Sequence, residues 1–378
     1  MWISPRRSAF GLLIAFASMI CVTAPAYGQR LHVILVSDQS PAAHWGVYAP
    51  HVALDVQRMS WMLRDNLPPA QLTRETLVFT RDRDATPARV LTAIERLEPN
   101  ADDAILFYYT GHGAADDRGH YLALAGGPLY RQTIREALES KGARLVVLLT
   151  DCCNLRSDGR RMVAMAPAPP EPPVAPPPLF RTLFFEPAGV VDINASAPGE
   201  AAYFTATPED QGIDSLGSLF TRAVSQFVEQ HLQEEQSWHD LLVAASFGVH
   251  VGFREGYPRG AKALDGQALQ RDQNVYAIEY PGKPASEGSR TGMVFMERRR
   301  GVEVAQLESH SPGETAFDLR TQDYTQVLPG YRVVAVNGHP IDRLDQLAEQ
   351  VRTSPQVMRV KIIDLEEQSR EILLRLRY

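Results

Sequence analysis

Between Leu31 and Leu149 the chain alternates short, fully apolar runs with segments whose apolar residues recur at helical spacing. That alternation constrains the fold more than any other feature. Leu31-His32-Val33-Ile34-Leu35-Val36 suits a buried strand. Val52, Val56, Met59 and Leu63 fall at +4, +3 and +4, which puts them on one helix face. Thr76-Leu77-Val78-Phe79-Thr80 reads as a second strand. Thr86 can then cap a helix with Pro87 in its first turn and a stripe of Val90, Ile94 and Leu97. Ala104 to Tyr109 is a third strand, a hairpin passes through Tyr121-Leu122-Ala123-Leu124, and a helix over Arg131 to Ser140 leads to a fourth strand, Leu145 to Leu149. The expected class is α/β: a mostly parallel sheet with helices on both faces.

Further along, Ala166 to Pro178 holds eight prolines in thirteen residues, a loop of partly polyproline character within the same domain. Ala201-Tyr203-Phe204 is a strand candidate. Phe220, Val224, Phe227 and Val228 give a helical face, and another helix runs near Trp238 to Phe247. Composition shifts at a linker, residues 281–290. Beyond it, residues 291–378 alternate as amphipathic strands, with a strong hairpin signal at Asn337-Gly338 and a helix near Leu344 to Arg352. This is a small separate α+β domain. The main domain covers residues 30–280.

The first 28 residues read as a secretory signal peptide: Arg6 and Arg7, an apolar run from Gly11 to Val22, and small residues before a cleavage at Gln29. No later apolar run has membrane length, so export to the periplasm or beyond is expected, with no span after signal removal. A net charge of -7 with mixed signs excludes an ordinary nucleic-acid binder. Of three cysteines, Cys21 leaves with the signal. Cys152 and Cys153 are adjacent and cannot staple distant segments, so in an exported protein they point to thiol chemistry.

Functional groups of open parallel sheets collect beyond the C-terminal strand ends. The third strand runs into Thr110-Gly111-His112-Gly113, and the fourth into Thr150-Asp151-Cys152-Cys153-Asn154. If these strands are neighbours, a histidine and a cysteine meet there. An imidazole can activate a thiol. The N–H groups of Gly113 and Cys153 can face a developing oxyanion, and Asp151 adds a carboxylate. The spacing matches no zinc pattern, and no metal ligands are assigned.

These residues resemble the caspase-like peptidases, on the metacaspase side. The resemblance is carried by Tyr109-Thr110-Gly111-His112-Gly113 and Asp151-Cys152-Cys153, each after an apolar strand. Ala201 to Ala206 and Gly217-Ser218-Leu219-Phe220-Thr221 match later family segments, so the likeness spans about residues 31 to 278. It implies a caspase-hemoglobinase fold and a cysteine endopeptidase, with His112 as general base and Cys153 as nucleophile. Asp55, Thr110 and Asp151 would be substrate-binding residues, favouring cleavage after Arg or Lys. Arg160 or Arg161 would be a self-cleavage site in the proline-rich region. Calcium activates some relatives; Asp116 and Asp117 are available acids, with no ligand set assigned. Asn154-Leu155-Arg156 stands where the family has histidine-serine-glycine.

The last domain resembles a PDZ module. Gly292-Met293-Val294-Phe295, Ser311-Pro312-Gly313 and the run Pro329 to Gly338 carry the likeness. It implies a C-terminal peptide ligand added as a strand, its carboxylate held near Gly292. A long stretch from Glu314 to Leu328 interrupts the pattern. The expected partners are thus a peptide or protein substrate and a C-terminal peptide. The alternative is a catalytically inactive caspase-like scaffold that presents the PDZ module.

Overall fold

The computed structural model describes residues 28–39, 49–79, 84–154, 175–205, 217–257, 273–282, 290–307, 312–354 and 357–376. Almost all of the signal segment, most of the proline-rich stretch and of the linker, Arg160, Arg161 and Ser311 lie outside them. Among the described residues, no helix is long and apolar enough to cross a membrane.

The first part contains β1 (Leu31–Asp38), α1 (Ala49–Asn66), β2 (Leu72–Phe79), α2 (Pro87–Glu95), β3 (Ala104–Thr110), β4 (Gly113–Asp116), β5 (Gly119–Leu124), β6 (Gly127–Tyr130), α3 (Arg131–Glu139) and β7 (Leu145–Asp151). It continues with α4 (Pro178–Phe180), β8 (Gly189–Asn194), α5 (Leu219–His231), α6 (Trp238–Gly256) and β9 (Tyr276–Glu279). Six strands form one sheet in the order β2-β1-β3-β7-β8-β9. All neighbours are parallel except β8 and β9. β4, β5 and β6 make a separate antiparallel sheet that extends the expected hairpin by a strand.

Every residue of β1, β3 and β7 is buried, as expected of strands covered on both faces. Their side chains alternate between two cores. Leu35, Leu106, Tyr108, Val147 and Leu149 meet α1, α5 and α6 on one face. Val36, Phe107, Tyr109, Val146 and Leu148 meet α2 and α3 on the other. The α1 stripe of Val52, Val56, Met59 and Leu63 is buried as its spacing requires. Thr86 caps α2, accepting a bond from the Arg89 N–H, with Pro87 in the first turn.

β8 and β9 carry little signal in the sequence. Each offers only two or three apolar residues beside a charge, and each is a strand because a sheet edge pairs it. The strand expected at Ala201–Phe204 is reduced to one bridge, Phe204 with Ser218. Its backbone is spent elsewhere: the Tyr203 N–H donates to the Gln273 side chain, and its carbonyl accepts from the Leu219 N–H.

The second part contains β10 (Met293–Arg298), β11 (Gly301–Leu307), β12 (Ala316–Asp318), β13 (Asp323–Thr325), β14 (Arg332–Val336), β15 (His339–Pro340), α7 (Leu344–Thr353), β16 (Val357–Ile363) and β17 (Ser369–Arg375). Its sheet runs β10-β11-β14-β16-β17-β12-β13, with β15 paired to β14, around a third core. Asn337 and Gly338 both have positive φ, 50° and 86°, the turn that their sequence demands. This part rests on α6. Phe247 packs against the third core, His239 Nε2 lies 2.9 Å from Glu303 Oε1, and Arg298 reaches Asp240 at 3.7 Å.

Candidate active site

Thr110 and Asp151 are register partners at the ends of β3 and β7, and the Gly111 N–H still bonds to the Asp151 carbonyl. His112 and Cys153 each follow two residues beyond that last pair. The turn that carries His112 is fixed at its carbonyl, which accepts from Tyr109 Oη at 2.7 Å and from the Ala123 N–H at 2.9 Å. Gly113 opens β4 directly against the cysteines. A Cβ there would stand 2.5 Å from the Cys153 carbonyl oxygen and 2.6 Å from Cys152 Sγ, so only glycine permits this approach.

The two cysteines face opposite ways, as neighbours in extended chain do. Cys152 is buried in the second core, its Sγ 3.6 Å from both His120 Nε2 and Asn194 Oδ1. Burial raises its thiol far above the ordinary range. Cys153 is partly exposed, and its Sγ lies 3.7 Å from the Ala202 carbonyl, on the side of the first core. Burial raises this thiol too. Neither is a thiolate by default, so nucleophilic chemistry at Cys153 requires a base.

The backbone around the cysteines is held by side chains the sequence did not flag. His120 on β5 lies 3.0 Å from the Cys153 carbonyl through Nε2. The Cys152 carbonyl accepts from Ser196 Oγ at 3.1 Å and from Asn194 Nδ2 at 3.3 Å. Burial, with the nearby Arg131 charge, lowers the His120 pKa to about 3. The ring is therefore neutral and can donate its Nε2 proton to that carbonyl. A lone histidine in a hairpin gives no sequence signal for this role.

Asp55 on α1 and Asp151 on β7 meet at the start of α5, on the first-core face. Ser218 caps α5 through the Thr221 N–H. Its own N–H donates to Asp55 at 3.0 Å, and its hydroxyl donates to Asp151. Thr221 Oγ1 adds a bond to Asp151 at 2.6 Å, and Thr110 Oγ1 one to Asp55 at 3.4 Å. Both carboxyls are buried. Burial raises the Asp151 pKa to about 6, against the bonds from Ser218 and Thr221. Burial and then the Asp151 charge raise Asp55 well above the carboxylate range, with the Ser218 bond and Arg58 opposing. The helix N-terminus favours negative charge here.

Gly217 closes the cluster. Its N–H donates to His51 Nδ1 at 2.9 Å, and burial holds His51 below its ordinary pKa. At φ 107°, a Cβ on Gly217 would collide with Arg58 Nη1 and Asp55 Oδ1. Thr110, Asp55 and Asp151, expected at one subsite, do lie together. Ser218 joins them; in the sequence it stands out only as part of the Gly217-Ser218-Leu219-Phe220-Thr221 segment. Among the described residues no three His, Cys, Asp or Glu side chains are grouped to hold a metal ion. Asp116 accepts from Tyr130 Oη at 2.7 Å and from the Arg118 N–H at 2.8 Å.

No protein-family model matches the chain, and no curated protein matches its sequence. Among solved structures, the chain is similar to caspase-1 from Spodoptera frugiperda at 14% identity and a TM-score of 0.42, covering 68% of this chain and 90% of that one. It is also similar to a structure titled pro-sf-caspase-1, at 13% identity and a TM-score of 0.41, covering 66% and 91%.

Proposed function

We propose that this chain is an exported cysteine endopeptidase that cleaves after Arg or Lys, with Cys153 as nucleophile and His112 as general base. One observation carries the reading. The β3–β7 register pairs Thr110 with Asp151 at the strand ends, which supports a meeting of His112 and Cys153, each two residues further on, and the buried Asp55 and Asp151 carboxyls lie beside that pair. His112 takes the Cys153 proton as sulfur attacks the scissile carbonyl carbon. The N–H groups of Gly113 and Cys153 receive the oxyanion. His112 then returns the proton to the leaving amine, and water hydrolyses the acyl-enzyme. Asp55 and Asp151, costly to bury as anions, favour a substrate cation, and Thr110 supports Asp55.

Fluorogenic peptides with Arg, Lys or Asp before the scissile bond test this. Arg and Lys substrates should be cut, Cys153→Ala should abolish the activity, and Cys152→Ala should retain it. Equal cleavage by Cys153→Ala would end the assignment. Export is tested by expressing the full chain and sequencing the mature N-terminus, expected at Gln29.

A second reading concerns the C-terminal part, which we propose is a PDZ-like peptide-binding module. Among the described residues β10 pairs only with β11 in the sheet, and α7 lies beside it with the Leu344 N–H bonded to Glu297. An unpaired strand edge accepts an added strand. If Cys153 resists thiol reagents while C-terminal peptides bind, the chain is an inactive scaffold presenting that module.

A further inference from the structure

The stretch from Glu314 to Leu328, which interrupts the C-terminal pattern, has a physical destination. It forms β12 and β13 and then places Gln326, almost fully buried, against the first part of the chain. Gln326 Nε2 donates to Asn274 Oδ1. That bond decides which way the Asn274 amide faces, because its oxygen is now committed to the C-terminal side. Asn274 Nδ2 is left to donate to Glu200 Oε1 at 2.7 Å, while the Asn274 N–H donates to Glu200 Oε2 at 2.8 Å.

Glu200 belongs to the segment that flanks Cys153. Its carbonyl accepts from the Asn154 N–H at 2.8 Å, and the Asn154 carbonyl accepts from the Gly199 N–H at 3.1 Å. The neighbouring Gln273 ties the ends of that segment, donating to the Ala195 carbonyl and accepting from the Tyr203 N–H. Ala202, between them, presents its carbonyl to Cys153 Sγ.

We infer that Gln326 is a positioning residue for the Cys153 site, acting through Asn274 and Glu200, so that the docked C-terminal part sets the geometry of the nucleophile's loop. This rests on the reading of Cys153 as nucleophile. The mechanical link itself does not depend on turnover.

The experiment uses the full chain. Gln326→Glu removes the donor and sets an anion against Asn274 Oδ1; Asn274→Asp keeps that acceptor but removes the donor to Glu200. Amide hydrogen exchange should rise about tenfold in fragments covering Ala195 to Phe204 for either variant, the loss of one ordering hydrogen bond. Cleavage of an Arg peptide should lose about tenfold in kcat with KM nearly unchanged. Arg298→Ala, which breaks a different contact across the same boundary, should change neither readout. Unchanged exchange in both relay variants, or an equal rise with Arg298→Ala, overturns the inference. Raised exchange in a protein that cuts no peptide leaves the relay standing and removes the peptidase reading instead.

Discussion

Asp55 and Asp151 come from a helix and a strand far apart in sequence, yet both are bound by Ser218: its N–H holds one carboxyl and its hydroxyl the other. Burial sets both pKa values high, and the charge of one raises the other. The chain tolerates this arrangement on the face next to Cys153, where binding a cation would offset its cost.

The cost is measurable as pH dependence. A carboxyl whose folded pKa is raised binds its proton more tightly when folded. Its stability contribution is full at acid pH and is lost as pH rises from about 3.8 to about 6, where Asp151 titrates. The loss is complete by neutral pH, where the buried carboxyl is charged in both the folded and the unfolded chain. Asp151→Asn keeps an oxygen acceptor for Ser218 and Thr221 but carries no charge. Its melting temperature should exceed that of the wild type at pH 7.5, with the gap closing below pH 4, while cleavage of Arg peptides falls. A gap that widens toward acid would refute the assignment.

Gly113 is a steric test of the site. In Gly113→Ala the new methyl would meet the Cys153 carbonyl, a backbone atom, at 2.5 Å. The loop that carries Cys153 must move by a good fraction of an ångström. A displacement of that order costs about a hundredfold in turnover. Peptide cleavage should drop by about that factor, and a crystal structure of the variant should show Cys153 displaced.

His120 should act on rate without appearing in the titration of the reaction. Its ring is neutral above about pH 3 and donates to the Cys153 carbonyl. His120→Gln removes or lengthens that bond, worth about tenfold in rate at 1.4 kcal/mol. The expected result is lower kcat with an unaltered acid limb of the pH–rate profile. A shifted limb would mean that His120, not His112, carries the reacting proton.

Asp103 anchors the start of the main sheet. It accepts from the N–H groups of Arg30 and Asn100, both at 2.8 Å, and lies 3.0 Å from His32 Nε2. Burial works against the charge, but these bonds hold the carboxyl below its ordinary pKa. Its contribution is therefore present above about pH 4 and lost as pH falls through the lowered value. Asp103→Ala leaves the buried His32 ring and two part-buried N–H groups without this partner and should cost about 1–3 kcal/mol at pH 7 by urea denaturation, with a smaller deficit at pH 3.

Several features were settled by sequence alone because they follow from local rules. Full burial of β1, β3 and β7 follows from unbroken apolar runs. The face of α1 follows from its spacing, the cap of α2 from Thr86-Pro87, and the β14–β15 turn from Asn337-Gly338. His112 and Cys153 stood out because each ends such a run. Tertiary structure alone decided what those ends meet. β8 and β9 became strands through sheet pairing. His120, Ser218 and Gln326 gained their roles through contacts spanning dozens of residues, which no periodicity records. Local pattern fixes which side chains are buried. Which polar groups share a buried site depends on how the layers close, because each buried donor or acceptor must find its partner there.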